Sequence, residues 1–269
     1  MTDTTAAGPA TKPVPADAGQ VARLFRLDGR VAIVTGASSG LGDRFARVLR
    51  AAGAEVVVAA RRVDRLDTLA AEIGAVPVRC DVADADDREA LVSTTLDRFG
   101  RIDILVNNAG ISWVGAAEDE PLEEWHRVLD VNLTGLFGLT QLVARHMFER
   151  ASGSIINISS MLGQVASMPV KQASYIATKG AVTNLTRQLG AEWARKGVRV
   201  NGIGPGWFRS ELTVDMEDDA SQTFIRRNCP MGRMGEPHEL DGALLYLAGD
   251  ASTYVTGQTL LVDGGWTAR

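Results

Sequence analysis

Short apolar runs without alternation recur along the chain, and each is followed by a stretch where apolar residues return at helical spacing. The run 31–34 (VAIV) precedes Phe45, Val48, Leu49 and Ala52 on one helical face, with Gly53 as the stop. The run 55–60 (EVVVAA) precedes a helical pattern over 63–73. A third run, 76–80, precedes a helix carrying Val92, Leu96 and Phe99, with Asp84 as its N-cap. Further strands are predicted over 102–107, 154–158, 198–203 and 259–262. Between them the spacing predicts one helix opened by Pro121 and running past Asn132 to Arg150. Another is striped by Val182, Leu185, Leu189 and Trp193, and a last one runs from about Pro237 to Leu247. The stretch 206–229 has no clear period.

Apolar strands that do not alternate are buried on both faces, as in a parallel sheet. Repeated strand–helix units therefore predict an α/β fold: a single doubly wound parallel sheet, Rossmann-like, of about seven strands with helices on both faces. Ligands of such sheets bind beyond the carboxyl ends of the strands. The polar segments that follow the runs, from the glycine turn at 36–42 to Ser160 and 204–210, fall at that rim.

Composition narrows the reading. A chain of 269 residues suits one large domain, placed at 25–269, after an N-terminal tail over 1–24 whose Thr, Ala, Pro and Asp content predicts disorder. A net charge of −5 supplies no basic face, so no nucleic acid is expected as a partner. No apolar run is long enough to span a bilayer, so no membrane is expected, and the opening residues lack the basic and apolar regions of a secretion signal. Cys80 and Cys229 are too few for a disulfide framework, which points to a reducing, cytoplasmic setting. His126, His146 and His238 are too dispersed to hold a metal.

The first strand leads into Thr35-Gly36-Ala37-Ser38-Ser39-Gly40-Leu41-Gly42 and then a helix. Unpaired amide groups at a helix N-terminus, with the macrodipole behind them, attract an anion. Glycine lets a pyrophosphate approach the backbone. The same residues also read Gly-x-Ser-x-Gly, the nucleophile elbow of a serine hydrolase with Ser38 as nucleophile and His238 available. Against that reading, no strand precedes residue 31. About 20 residues beyond such a turn, an acid selects NAD and an arginine NADP. Here the second strand ends in Arg61-Arg62, favouring NADP(H) over NAD(H) through a bidentate fork on the 2′-phosphate. Tyr175 and Lys179 stand four apart on one helix face, where a cation near the phenol favours phenolate and makes it a better acid–base group at neutral pH.

The ordered set Thr35–Gly42 turn, Cys80-Asp81-Val82, Asn107-Asn108-Ala109-Gly110, Asn132, Ser160, Tyr175-x-x-x-Lys179, Pro205-Gly206 and Leu261-Val-Asp-Gly-Gly265 resembles the short-chain dehydrogenase/reductase family, including its 3-oxoacyl-carrier-protein reductase-like members. The match runs from about Leu27 to the C-terminus. It implies an NAD(P)(H)-dependent oxidoreductase that moves a hydride between nicotinamide and a small-molecule ketone or secondary alcohol. Tyr175 would be the acid–base residue and Ser160 would hydrogen-bond the substrate oxygen. Lys179 would bind the nicotinamide ribose and lower the Tyr175 pKa, and Asn132 would position a water linking Lys179 to solvent. Gly36, Ser38, Ser39, Gly40, Leu41 and Gly42 would line the pyrophosphate. Asp81 and Val82 would meet adenine, and Asn108, Ala109 and Gly110 the adenosine ribose. Pro205, Gly206, Phe208 and Ser210 would lie along the nicotinamide. The resemblance also implies a homotetramer built on the helices over 121–150 and 173–196, with Leu189 and Trp193 serving that interface or the core.

Two departures stand out. Where NADP-preferring relatives carry a basic residue before the middle glycine, this chain has Ser39, and its Ser160–Tyr175 interval is two residues longer than usual. Ser112, Trp113, Val165, Met168, Val170, Trp207, Leu212, Met216 and Phe224 are pocket candidates, favouring an apolar or ring-bearing ketone over a free sugar, with Arg209 or Lys171 available for an acidic substituent. A dinucleotide-binding regulator without chemistry is the other class the motifs allow.

Overall fold

A computed structural model describes residues 17–209, 211–216 and 218–269. Its sheet is built from β1 (Val31–Thr35), β2 (Glu55–Ala60), β3 (Val76–Arg79), β4 (Ile104–Asn107), β5 (Gly153–Ile158), β6 (Val198–Pro205) and β7 (Thr259–Val262). These strands lie in the order β3-β2-β1-β4-β5-β6-β7, and every pair is parallel. The helices are α1 (Ala18–Arg23), α2 (Gly40–Ala51), α3 (Val63–Ile73), α4 (Ala85–Phe99), α5 (Leu122–Leu129), α6 (Leu136–Glu149), α7 (Ala173–Trp193), α8 (Asp219–Asn228) and α9 (Asp241–Ala248).

Period-two side chains explain why the central strands are apolar throughout. Ala32, Val34, Val56, Val58, Ile104 and Val106 face a core shared with Phe45 and Leu49 of α2, Leu66 of α3 and Leu244 of α9. Their neighbours Ile33, Val57, Leu105 and Ile155 face the opposite core, with Leu91 of α4, Val143 and Met147 of α6, and Leu189 and Trp193 of α7. Each such side chain contributes about 1.5–3 kcal/mol on burial, and a polar residue in either register would lose that. Leu189 and Trp193 thus serve the core, where Trp193 meets Phe148 edge-on with ring centres 5.4 Å apart.

Strand order reverses between β1 and β4, which opens a crevice at their carboxyl ends. All seven strands fall where the apolar runs place them, to within two residues at their starts and ends.

Helices departed from expectation in three places. Residues 18–23, assigned by composition to the tail, form α1, because Asp17 and Gln20 make a capping box that satisfies two end amides locally. The helix expected over 121–150 is interrupted by a π-helical turn, Asp130–Gly135, between α5 and α6. There the side chain of Asn132 is pinned to the backbone of Ile111, and a Cβ on Gly135 would lie 2.3 Å from the Val82 carbonyl oxygen. The aperiodic stretch contains a 3₁₀ turn, Glu211–Met216, and α8, which Asp218 caps by accepting from Ala220 and Ser221 amides. Its helical period is hidden because, among its described residues, Ile225 alone is fully buried on α8.

Candidate active site

The glycine turn is shaped by close backbone contacts. Thr35 Oγ1 accepts from the Asn108 and Ala109 amides at 3.0 and 3.1 Å, tying the end of β1 to the loop after β4. Asn108 Nδ2 donates to the Thr35 and Gly36 carbonyls at 3.0 and 3.3 Å. A Cβ at Gly42 would lie 2.3 Å from the Gly36 oxygen and 2.5 Å from Asn108 Nδ2, so only glycine lets α2 begin there. Gly36 and Gly40 adopt positive φ, 65° and 56°, which sends the chain round the turn.

Beyond the turn opens a cleft of about 440 Å³. Gly36, Ser38, Ser39, Gly40 and Leu41 form one end with Arg61, Arg62, Asp81 and Val82. Asn108, Ala109 and Gly110 form the floor, and Ser160, Tyr175, Lys179, Pro205, Gly206 and Phe208 form the far end. Gly42 packs beneath the turn instead of facing the cleft, and Ser210 lies outside the described residues. Ser159, at the rim the apolar runs predict, lines it too, whereas the pattern did not single out Ile111, Glu211 or Thr213, which also line it.

At the far end Ser160 follows β5, while Tyr175 and Lys179 project from α7. The longer interval between Ser160 and Tyr175 does not separate them: both line this end of the cleft. Lys179 is buried, donates from Nζ to the Ile158 carbonyl at 2.8 Å and lies 5.4 Å from the Tyr175 ring centre. Burial lowers its pKa to about 8. Burial also raises the Tyr175 pKa, and the Ser160 hydrogen bond lowers it in part. Desolvation of a buried phenolate is the larger effect, and Ser160 is the group that offsets it.

Asn132 does not line the cleft. Its Oδ1 accepts from the Ile111 amide at 2.8 Å, and its Nδ2 donates to the Ile111 carbonyl at 2.8 Å and to Thr178 Oγ1 at 3.1 Å. It braces the loop after β4 against α7. Such π turns collect at functional sites.

At the near end Arg62 donates to Ser38 Oγ from Nε and Nη2 at 3.1 and 3.0 Å, and to Ser39 Oγ from Nη2 at 2.7 Å. A guanidinium thus covers Ser39 from the end of β2, although position 39 itself is not basic. Arg61 faces Asp81 instead, at 3.8 Å. Ser38 is engaged by an arginine and no histidine lines the cleft among the described residues, so the hydrolase arrangement is not formed there. Cys80 is buried near Asp87 and Asp81, which pushes its thiol up to about 12 and makes it a poor nucleophile.

Val165, Ile176, Trp207, Met216 and Phe224 pack beside Tyr175 in an apolar cluster completed by Met161, Ile225 and Trp266. Of the other pocket candidates, Met168 is exposed, Arg209 pairs with Glu236 at 3.5 Å, and the side chain of Leu212 lies outside the described residues. Trp266 escaped notice because it reaches this wall from the C-terminus by a long-range contact, closing on Trp207 with ring centres 5.9 Å apart.

Residues 36–267 match the family model described as enoyl-(acyl carrier protein) reductase. The crystal structure of a short-chain type dehydrogenase/reductase from Mycobacterium marinum superposes with a TM-score of 0.89 at 41% identity, over 93% of this chain and 100% of the other. The chain belongs to the short-chain dehydrogenase/reductase family. It is an NAD(P)-dependent oxidoreductase of alcohol and carbonyl substrates. Galactitol 2-dehydrogenase (L-tagatose-forming) of Cereibacter sphaeroides is 42% identical over 91% of this chain and 97% of its own length. The 3-oxoacyl-[acyl-carrier-protein] reductase of Synechocystis sp. is 42% identical over 90% of this chain and 98% of its own. A gluconate 5-dehydrogenase from Burkholderia cenocepacia, solved in complex with NADP and tartrate, is 42% identical with a TM-score of 0.88, covering 93% of this chain and 99% of that one. Within this short-chain dehydrogenase/reductase, no group of three or more His, Cys, Asp or Glu fit to hold a metal occurs among the described residues, and no described helix is long and apolar enough to cross a membrane.

Proposed function

We propose that this short-chain dehydrogenase/reductase interconverts an apolar or ring-bearing ketone and its secondary alcohol, with Tyr175 as the acid–base residue. The observation that carries the assignment is that Ser160, Tyr175 and buried Lys179, its Nζ 5.4 Å from the Tyr175 ring centre, meet at one end of a cleft whose other end is the glycine turn. A bound nicotinamide would supply or accept the hydride. As the carbonyl oxygen gains negative charge, Ser160 and Tyr175 donate to it, and Tyr175 delivers the proton. In the oxidative direction Tyr175 takes that proton back. Lys179, held by Ile158, keeps a cation beside the phenol, and Asn132 ties α7, which carries both Tyr175 and Lys179, to the loop after β4.

The apolar cluster beside Tyr175 favours a hydrophobic substrate, although relatives of similar identity are named for polyols, sugar acids and acyl-carrier thioesters. NADP(H) is preferred over NAD(H), a reading supported by Arg62 above Ser38 and Ser39. Gly36, Ser38, Ser39, Gly40 and Leu41, on Gly42, hold the pyrophosphate; Asp81 and Val82 the adenine; Asn108, Ala109 and Gly110 the ribose; Pro205, Gly206 and Phe208 the nicotinamide. Residues 25–269 act as one domain. A homotetramer is supported by a surface groove where half-buried Leu133, Phe137, Ala181 and Leu185 lie between the π turn, α6 and α7. Free, buried Cys80 and Cys229 agree with a cytoplasmic setting.

The test follows NADPH and NADH absorbance against cyclic diketones, steroid-like ketones, acetoacetyl thioesters and open-chain ketoses. Tyr175→Phe is expected to lose about 10²–10⁴-fold in turnover while still binding dinucleotide. Binding without turnover by the unaltered protein on every ketone would favour the silent regulator.

A further inference from the structure

Glu211 stands where no charge pattern announced it. It opens the 3₁₀ turn after β6, yet its carboxylate reaches across the cleft to the end of β2. Ser39 Oγ donates to its Oε2 at 2.8 Å, and Arg62 donates to Oε2 and Oε1 at 2.9 and 3.3 Å. Arg65 is ion-paired with its Oε1. These donors, led by Arg62, lower its pKa to about 2, so it is anionic at any working pH.

The groups that would receive a ribose 2′-phosphate are therefore already holding an anion from the protein itself. We propose that Glu211 is a cofactor-discriminating residue whose carboxylate fills the 2′-phosphate seat at Ser39, Arg62 and Arg65, yields it to NADP(H) and keeps it with NAD(H). The proposal rests on the reading that Arg62 marks that seat. Charge and exposure decide which anion wins. A phosphate monoester carries roughly −1.5 to −2 at neutral pH with three acceptor oxygens, against one charge and two oxygens for the carboxylate. The Glu211 side chain is 50% exposed and the Arg62 side chain 42%, and ion pairs of that exposure are weak enough to exchange.

A consequence follows for each cofactor. With NAD(H) the arginines stay neutralised, so no uncompensated cation faces the ribose hydroxyl. With NADP(H) Glu211 is expelled, and the turn it opens loses its tether to α3 and the glycine loop. That turn adjoins Phe208 at the far end of the cleft, so cofactor identity is communicated to the segment beside the reacting centre.

The experiment compares the full chain with Glu211→Gln and Arg62→Ala by titration calorimetry, using NADPH, NADH, 2′,5′-ADP and 5′-ADP. Glu211→Gln is expected to bind NADPH and 2′,5′-ADP about five- to tenfold more tightly, with NADH and 5′-ADP changed by less than about twofold. Equal changes for both classes, or weaker binding of the 2′-phosphorylated ligands, would overturn the proposal. Arg62→Ala separates the two levels of inference. If it weakens only the 2′-phosphorylated ligands while Glu211→Gln shifts nothing selectively, the seat stands and the role of Glu211 falls. If Arg62→Ala is itself unselective, the seat is wrong and both fall.

Discussion

The Lys179 ammonium lies 5.4 Å from the centre of the Tyr175 ring and gives a hydrogen bond to the Ile158 carbonyl. Helical spacing on α7 puts both side chains on one face, and the end of β5 supplies the acceptor that fixes the lysine. Burial acts on the two groups in opposite directions, because it disfavours each charged form: the lysine falls towards neutrality while the phenol rises.

Lys179 should leave a mark on stability as well as on activity. Its pKa is about 8 in the folded protein against 10.5 for an ordinary lysine, so between those values the unfolded chain binds a proton that the folded chain has released. This group therefore makes stability rise with pH across that window, and below it the full burial cost is present. Lys179→Met removes the titration. The stability of wild type relative to Lys179→Met is expected to increase as pH rises from about 8 to 10.5, read from urea melts, while the variant stays inactive throughout. A pH-independent difference would mean that the lysine is not desolvated.

Arg62 and Arg61 should behave differently although they are neighbours. Arg62 lies on the hydroxyls of the glycine turn, whereas Arg61 faces Asp81. Arg62→Ala is expected to raise KM for NADPH about tenfold or more and KM for NADH by less than about twofold, as loss of a charge-assisted contact to phosphate requires. Arg61→Ala should be milder and less selective. Steady-state kinetics with both cofactors and one good ketone decide this.

The tightness of the turn is testable without a substrate. A methyl group at position 42 would meet the Gly36 oxygen at 2.3 Å, and backbone cannot step aside as a flexible side chain can. Gly42→Ala is expected to cost about 1–3 kcal/mol in stability through overpacking. Dinucleotide affinity should fall with it, because the amides of α2 shift. Thermal melts with and without NADPH measure both effects.

The features that were legible in the sequence share a local cause. Buried parallel strands announce themselves as apolar runs, and β2, α3 and β7 have the expected bounds because their patterning and flanking residues agree. The glycine turn was legible because its constraint is steric and falls on adjacent positions. What escaped notice depends on partners far away in the chain. Glu211 matters through Arg62 and Ser39, some 149 and 172 residues distant. Trp266 matters through Trp207 and Phe224. Helix α8 is held by its cap and by Ile225, too little apolar surface to show a period. The π turn was invisible because Asn132 is a weak helix former wherever it stands, and only its contacts with Ile111 explain the extra residue.

Asn132 offers the sharpest choice between two roles. The family resemblance assigns it a water that links Lys179 to solvent, but in the structure both ends of its amide are committed to Ile111 and Thr178. Removing the side chain strands the Ile111 amide and carbonyl, and leaving buried polar groups unpaired costs about 1–3 kcal/mol. Asn132→Ala is therefore expected to lose stability by that amount and to lower kcat, since the loop that carries Gly110 is no longer tied to α7. Asn132→Asp should not rescue it, because a carboxylate cannot donate to the Ile111 carbonyl or to Thr178. The pH–rate profile separates the roles. If the side chain is a brace, the residual activity of both variants keeps the wild-type profile, because no titrating group has lost a contact. If its amide feeds protons to Lys179, the limb of the profile that reports the Tyr175–Lys179 pair moves, and the brace assignment fails.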